Sequence, residues 1–137
     1  MNKTLLFGAL MLSVVIRPAF AAGDPLAGET VFKKCAACHA VGEGAKNKVG
    51  PELNELMGRV AGTALDYNYS QAMIDAGAAG LIWTPESLVP WLHKPKEAVA
   101  GTKMTFAGLG EQADIDNVIA YLLTFSPDYV PSAPSAN

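Results

Sequence analysis

The chain has 137 residues, half of them hydrophobic, with 13 acidic and 10 basic side chains and a formal charge of −3. That balance excludes a binder of the nucleic-acid phosphate backbone, which needs a basic surface. The length excludes more than one ordinary domain.

The first 21 residues read as an export signal. Lys3 supplies a positive start, Thr4 to Ile16 an apolar run, and Ala19-Phe20-Ala21 a small-x-small cleavage site. The apolar run is short for a bilayer span; an uncleaved anchor is the alternative. Cleavage after Ala21 removes Lys3 and Arg17, taking the formal charge of −3 down by two units to −5. It leaves a periplasmic domain over 22–126 and a Pro- and Ser-rich tail over 127–137 that is expected to fray.

Asp24-Pro25 reads as an N-cap followed by proline at the first helical position. Ala27, Val31 and Cys35 then share a stripe, so a helix is expected from Pro25 into Cys35-Ala36-Ala37-Cys38-His39. Gly28 would let another helix cross closely. The C-x-x-C-H run is the attachment signal for covalent haem. Residues three apart on a helical turn share a face, so two thiols can reach the two vinyl groups of one porphyrin. The imidazole of His39 then falls under the iron as an axial ligand.

Three other readings of the pair are weighed. A thioredoxin-like redox site needs a preceding strand and a long following helix, whereas a glycine-rich polar run (Val41 to Gly50) follows here. A zinc site needs four ligands; Cys35, Cys38, His39 and His93 are the only sulfur or imidazole candidates, and adjacent Cys38 and His39 converge poorly on one ion. A Cys35–Cys38 disulfide would be short and strained. Export favours haem, which is attached outside the cytoplasm. A domain this small buries limited surface, so a large apolar cofactor would supply much of its core.

Further along, Val41 to Pro51 is a loop. Pro51 to Met57 reads as a short helix ended by Gly58, and Ser70 to Ala76 as another ended by Gly77. Thr84-Pro85-Glu86 starts a third, through about Lys94, with Pro95 as its stop. Pro90 inside it removes one backbone bond and is expected to kink it. Gly101 to Gly110 is a loop. Asp114 to Phe125 is the clearest helix, with Ile115, Val118, Ile119 and Leu122 at the 3.6 period. No strand alternation is present. The fold class is all-α, about four to five helices around one prosthetic group.

For a second iron ligand the chain offers Met57, Met73, Met104, His93 and several lysines. Met57 and Met73 lie in or beside short helices and read as core filler. His93 reads as a solvated helix-end group. Met104 lies in a Gly101–Gly108 loop able to fold over the haem, and a thioether raises the potential. Every lysine after the leader falls in one of two segments: Lys33, Lys34, Lys46 and Lys48 around the haem motif, and Lys94, Lys96 and Lys103 near Met104. These form a basic rim on an acidic body, suited to steering toward an acidic docking patch; an ordinary solvated surface is the plain alternative.

In these residues the chain resembles class I cytochrome c, and most closely the periplasmic cytochrome c2 type related to mitochondrial cytochrome c. The resemblance covers about Gly28 to Phe125. It rests on the haem motif, Val49-Gly50-Pro51-Glu52-Leu53, Leu56-Met57-Gly58-Arg59, Trp83, the Gly101–Gly108 loop and Asn117-Val118-Ile119-Ala120-Tyr121-Leu122. It implies that Cys35 and Cys38 are the thioether positions and His39 and Met104 the axial ligands. It implies that the Pro51 carbonyl accepts the hydrogen bond from the far nitrogen of His39. Arg59, Tyr69 and Trp83 match positions that hold or neutralise a haem propionate. Two departures are visible: Ala100 replaces the usual proline before Gly-Thr-Lys-Met, and Trp91 stands where many relatives have a tyrosine that bonds the methionine sulfur.

The function implied is a soluble, monomeric, single-haem electron carrier. It would run from a quinol–cytochrome c reductase to a terminal oxidase or a photosynthetic reaction centre. With both axial positions filled no substrate binds, so the chain is not expected to be an enzyme. The alternatives are a haem subunit of a periplasmic dehydrogenase, a peroxidase or gas-binding haem protein, and a haem-free thiol oxidoreductase.

Overall fold

The computed structural model describes residues 23–131. The export signal expected over 1–21 and the last residues of the tail lie outside that range. Five helices follow in chain order: α1 (Pro25–Phe32), α2 (Gln71–Ala78), α3 (Pro85–His93), α4 (Pro95–Ala98) and α5 (Gln112–Leu123). Among the described residues no strand forms; one antiparallel bridge joins Val60 and Ile82. The fold is all-α, as its sequence pattern implies.

α1 begins as its sequence dictates. The Asp24 side chain accepts the Leu26 N–H at 2.9 Å, and Pro25, which has no N–H to satisfy, takes the first helical position. Beyond Phe32 the chain keeps turning: the Cys38 and His39 N–H groups both donate to the Cys35 carbonyl, at 3.0 and 2.9 Å. α5 buries Ile115, Val118, Ile119 and Leu122, the four residues of its apolar stripe. The two helices cross at Gly28, where a Cβ would collide with the Asn117 carbonyl and the Tyr121 Cβ. Asp24 N–H donates to Asn117 Oδ1 at 2.8 Å, Lys34 pairs with Asp114 at 2.9 Å, and Phe32 packs on Tyr121 with ring centroids 5.4 Å apart.

Two local expectations are corrected. Pro51 to Met57 is not helical. Its donors go to distant partners, Leu53 N–H to the Ala40 carbonyl at 2.9 Å and Glu55 N–H to the Phe125 carbonyl at 2.8 Å. Glu55 itself adopts φ 48°, which breaks any helical run. Gly77 does not end α2. It lies inside the helix, buried where a Cβ would strike the Ala61 carbonyl, and the helix stops at Ala79 before Gly80 at φ 102°. Pro95 stops α3 but also opens α4. Pro90 is carried within α3 without ending it. Both it and Glu86, whose carbonyl would have taken its missing N–H, are exposed. The start of α3 is secured by a reciprocal Thr84–Ser87 capping box.

After α5 the chain folds back. Ser126 is 3 % exposed and its hydroxyl accepts the Met57 N–H at 3.2 Å, while the Tyr129 ring lies against Gly58. One continuous core unites α1, α3, α5 and the Leu56–Ala61 segment, through Phe32, Leu56, Leu88, Leu92 and Val118.

Candidate functional site

The helices and loops enclose a cavity of about 350 Å³, within the range of roughly 300–1,000 Å³ usual for ligand sites. The turn after α1 contributes Cys35, Cys38 and His39, and the following loop Pro51. Arg59, Tyr69 and Trp83 come from the long segment around α2, Trp91 from α3, and Met104 from the Gly101–Gly108 loop. All nine sequence-derived site residues therefore reach one cavity. His93 does not line it; its Nδ1 lies 3.0 Å from the Leu109 carbonyl at the surface.

His39 is held with care. Its Nδ1–H donates to the Pro51 carbonyl at 2.7 Å, which leaves Nε2 as the lone-pair nitrogen. Residues 48–53 form a strap along the Cys35–Ala40 turn. Gly50 N–H donates to the Cys38 carbonyl at 2.8 Å, and the Lys48 ammonium donates to the Ala36 carbonyl. Gly50 lies flat against the imidazole, and any Cβ there would overlap the ring. Burial holds the His39 pKa below 6.5; the Pro51 hydrogen bond works against that shift and the Lys48 charge adds to it. That shift favours the neutral ring, the form that binds metal.

The thiols of Cys35 and Cys38 are unbridged and half-buried. Burial pushes Cys35 above its usual 9.0, with Lys34 opposing and Cys38 adding to the shift. A thiol biased away from thiolate suits a redox nucleophile poorly. Among the described residues no three His, Cys, Asp or Glu side chains are grouped to hold a metal ion.

Trp83 and Arg59 sit on paired backbone: Trp83 N–H donates to the Arg59 carbonyl at 2.9 Å, and Gly58 N–H to the Trp83 carbonyl at 2.7 Å. Trp83 packs on Trp91 with ring centroids 5.4 Å apart. Tyr67 escaped the sequence reading. Its hydroxyl donates to the Val49 carbonyl at 2.7 Å and its ring meets Tyr69 edge-on at 4.7 Å, closing that side of the cavity. The alternation Tyr67-Asn68-Tyr69 was its only signal. Met73, read as filler, is buried at 5 % exposure and also lines the cavity.

The lysines are unequal. Lys34 is paired with Asp114, Lys94 with Glu97 at 3.0 Å, and Lys103 donates to the Asn68 carbonyl at 2.9 Å. All seven, Lys33, Lys34, Lys46, Lys48, Lys94, Lys96 and Lys103, are exposed.

Residues 26–126 match the family model described as Cytochrome c. The chain belongs to the cytochrome c family. As a cytochrome c it carries covalently bound haem c and transfers electrons. It is similar to cytochrome c2 of Agrobacterium tumefaciens (strain II Chrys), 54 % identical over 110 residues, 80 % of this chain and 98 % of that one. It is also similar to cytochrome c2 of Afifella marina, 56 % identical over 105 residues, 77 % of this chain and 85 % of that one. The solved structure of cytochrome c2 from Rhodospirillum centenum aligns with a TM-score of 0.72 at 45 % identity, covering 77 % of this chain and all of that one. The donor set in the cavity fits haem c. Two thiols on one helical turn, an imidazole with its far nitrogen committed, and a thioether on a neighbouring loop all converge there.

Proposed function

We propose that this cytochrome c is a soluble periplasmic single-haem carrier working between membrane redox complexes. The donor would be a quinol–cytochrome c reductase, and the acceptor a terminal oxidase or a photosynthetic reaction centre. The observation that carries the reading is the convergence of Cys35, Cys38, His39 and Met104 on one cavity, with His39 Nδ1 already committed to Pro51. In this reading Cys35 and Cys38 would hold the haem covalently, and His39 and Met104 would ligate its iron. Bound haem supplies a one-electron ferrous–ferric couple.

The chain's own residues do the rest. Pro51 fixes the ring orientation and tautomer of His39. Arg59 brings a permanent cation to the cavity wall, and Tyr69 and the Trp83 indole bring donors, matching a haem propionate. Trp83 and Trp91 keep much of the wall apolar, which excludes water and favours the less charged ferrous state. With His39 and Met104 both ligating the iron, no iron site would remain for a substrate, and the protein would act as an electron carrier. Exposed Lys33, Lys46 and Lys96, with Lys34 and Lys103 at the cavity wall, supply a basic rim for an acidic partner. No helix among the described residues is long and apolar enough to cross a membrane.

A redox-titrated absorbance spectrum of the purified periplasmic protein, with mass spectrometry of the polypeptide, tests this. The expected result is one haem-sized adduct, a cleaved leader, a single one-electron transition and a six-coordinate spectrum in both states. A polypeptide without the adduct, from cells able to mature such proteins, overturns it. Rapid tight binding of carbon monoxide or cyanide at neutral pH would instead indicate an open iron site.

A further inference from the structure

Arg59 is the side chain that two hollows share. It lines the haem cavity, and it also lines a shallower outer depression with Lys46, Asn47, Glu52, Asn54 and Asp66. At that wall it is held by one acid. An Arg59 guanidinium nitrogen lies 3.7 Å from a Glu52 carboxylate oxygen, and another donates to the Glu52 backbone carbonyl at 3.3 Å. The side chains are only 18 % and 27 % exposed, so water and salt screen the pair incompletely.

Glu52 is itself rigidly placed. Its second carboxylate oxygen accepts the Asn54 N–H at 2.8 Å, and its own N–H donates to Asn47 Oδ1 at 2.9 Å. It directly follows Pro51, whose carbonyl holds His39. The carboxylate is therefore built into the strap that positions the proposed axial ligand.

The ferric state carries one more positive charge than the ferrous state. A cation aimed at the cavity favours ferrous iron and raises the potential, and an acid that engages the cation takes part of that effect away. We propose that Glu52 sets the potential through Arg59. It shares the guanidinium with the haem carboxylates and so holds the potential below the value an undivided Arg59 would give. Glu52 is a positioning residue in this sense, touching Arg59 and not the cofactor. The inference rests on the cavity being the haem site.

The test is a redox titration of the haem-loaded E52Q protein. Haem content and absorbance spectrum are read first: absence of haem from the wild type ends the reading of the cavity, not only this proposal. The expected result for E52Q is an unchanged ligation spectrum with the reduction equilibrium shifted about threefold to tenfold toward ferrous; tenfold is about 59 mV for one electron. In an R59Q background the E52Q shift is expected to shrink to a minor fraction. E52D keeps the charge but withdraws it by one methylene, and is expected to move the potential part of the way up. If E52Q fails to load haem, E52D decides alone. A loaded variant with an unmoved or lowered potential overturns the proposal. An equal E52Q shift with and without Arg59 also overturns it, since Glu52 would then act only as a nearby charge.

Discussion

Gly28 of α1 sits so close to the Asn117 carbonyl of α5 that no side chain fits between them. The contact fixes where the Cys35–His39 turn, which follows α1, stands relative to the C-terminal helix. Gly28→Ala would gain up to about 1 kcal/mol of helix propensity but force two anchored backbones apart. Asp24 is tied to Asn117 and Lys34 to Asp114, so the helices are pinned on either side of the crossing. Overpacking costs roughly 1–3 kcal/mol and is expected to win. The measurement is the denaturant midpoint of the haem protein at unchanged slope. Equal or greater stability in the variant would mean that the crossing yields freely.

Local signals and long-range partners explain what could be read ahead of the structure. The Asp24-Pro25 start, the α5 stripe and the Cys35–His39 motif are local: spacing and capping chemistry suffice to locate them. Pro51 to Met57 could not be read that way, because its conformation is decided by acceptors at Ala40 and Phe125. Gly77 has the composition of a helix stop, yet its role is to admit the Ala61 carbonyl. The same limit applies to charge. Lys34 and Lys33 are neighbours in sequence, but only the fold brings Asp114 against Lys34.

In the proposed function Met104 would be the second iron ligand. Met104→Ala is expected to lower the potential, because a soft thioether stabilises ferrous iron, and to open the iron to added cyanide or carbon monoxide. Met73 lines the same cavity and is the alternative sulfur. A Met104→Ala spectrum identical to wild type would move the ligand assignment to Met73.

Lys33 gives the cleanest test of the basic rim. It is exposed, whereas Lys34→Glu would also place a second acid beside Asp114. Lys33→Glu is expected to slow electron transfer to an acidic partner at low ionic strength. The difference from wild type should fade above about 0.15 M salt, where the Debye length is roughly 8 Å. Stopped-flow rates across a salt series measure this, and rates indifferent to both charge and salt would remove steering from the account.

Tyr69 gives the fold an alkaline limit of its own. Burial pushes its phenol above 10.0. The Ala64 hydrogen bond and Arg59 pull against that shift, while Tyr67 and Glu52 add to it. The unfolded chain therefore gives up this proton first as pH rises. The contribution is intact below pH 10.0 and lost as pH climbs through the raised folded value. Tyr121 and Tyr129 are also shifted upward by burial, so the pH profile of the wild type alone does not isolate Tyr69. The stability difference between wild type and Tyr69→Phe does, measured by urea denaturation from about pH 8 to 12. That difference is expected to stay level up to pH 10 and then to narrow. Only a small change is expected, because Tyr69 is only partly buried and its ionised form remains partly solvated. A difference that instead widened with alkalinity would mean that the folded protein prefers the phenolate, reversing the role assigned to burial.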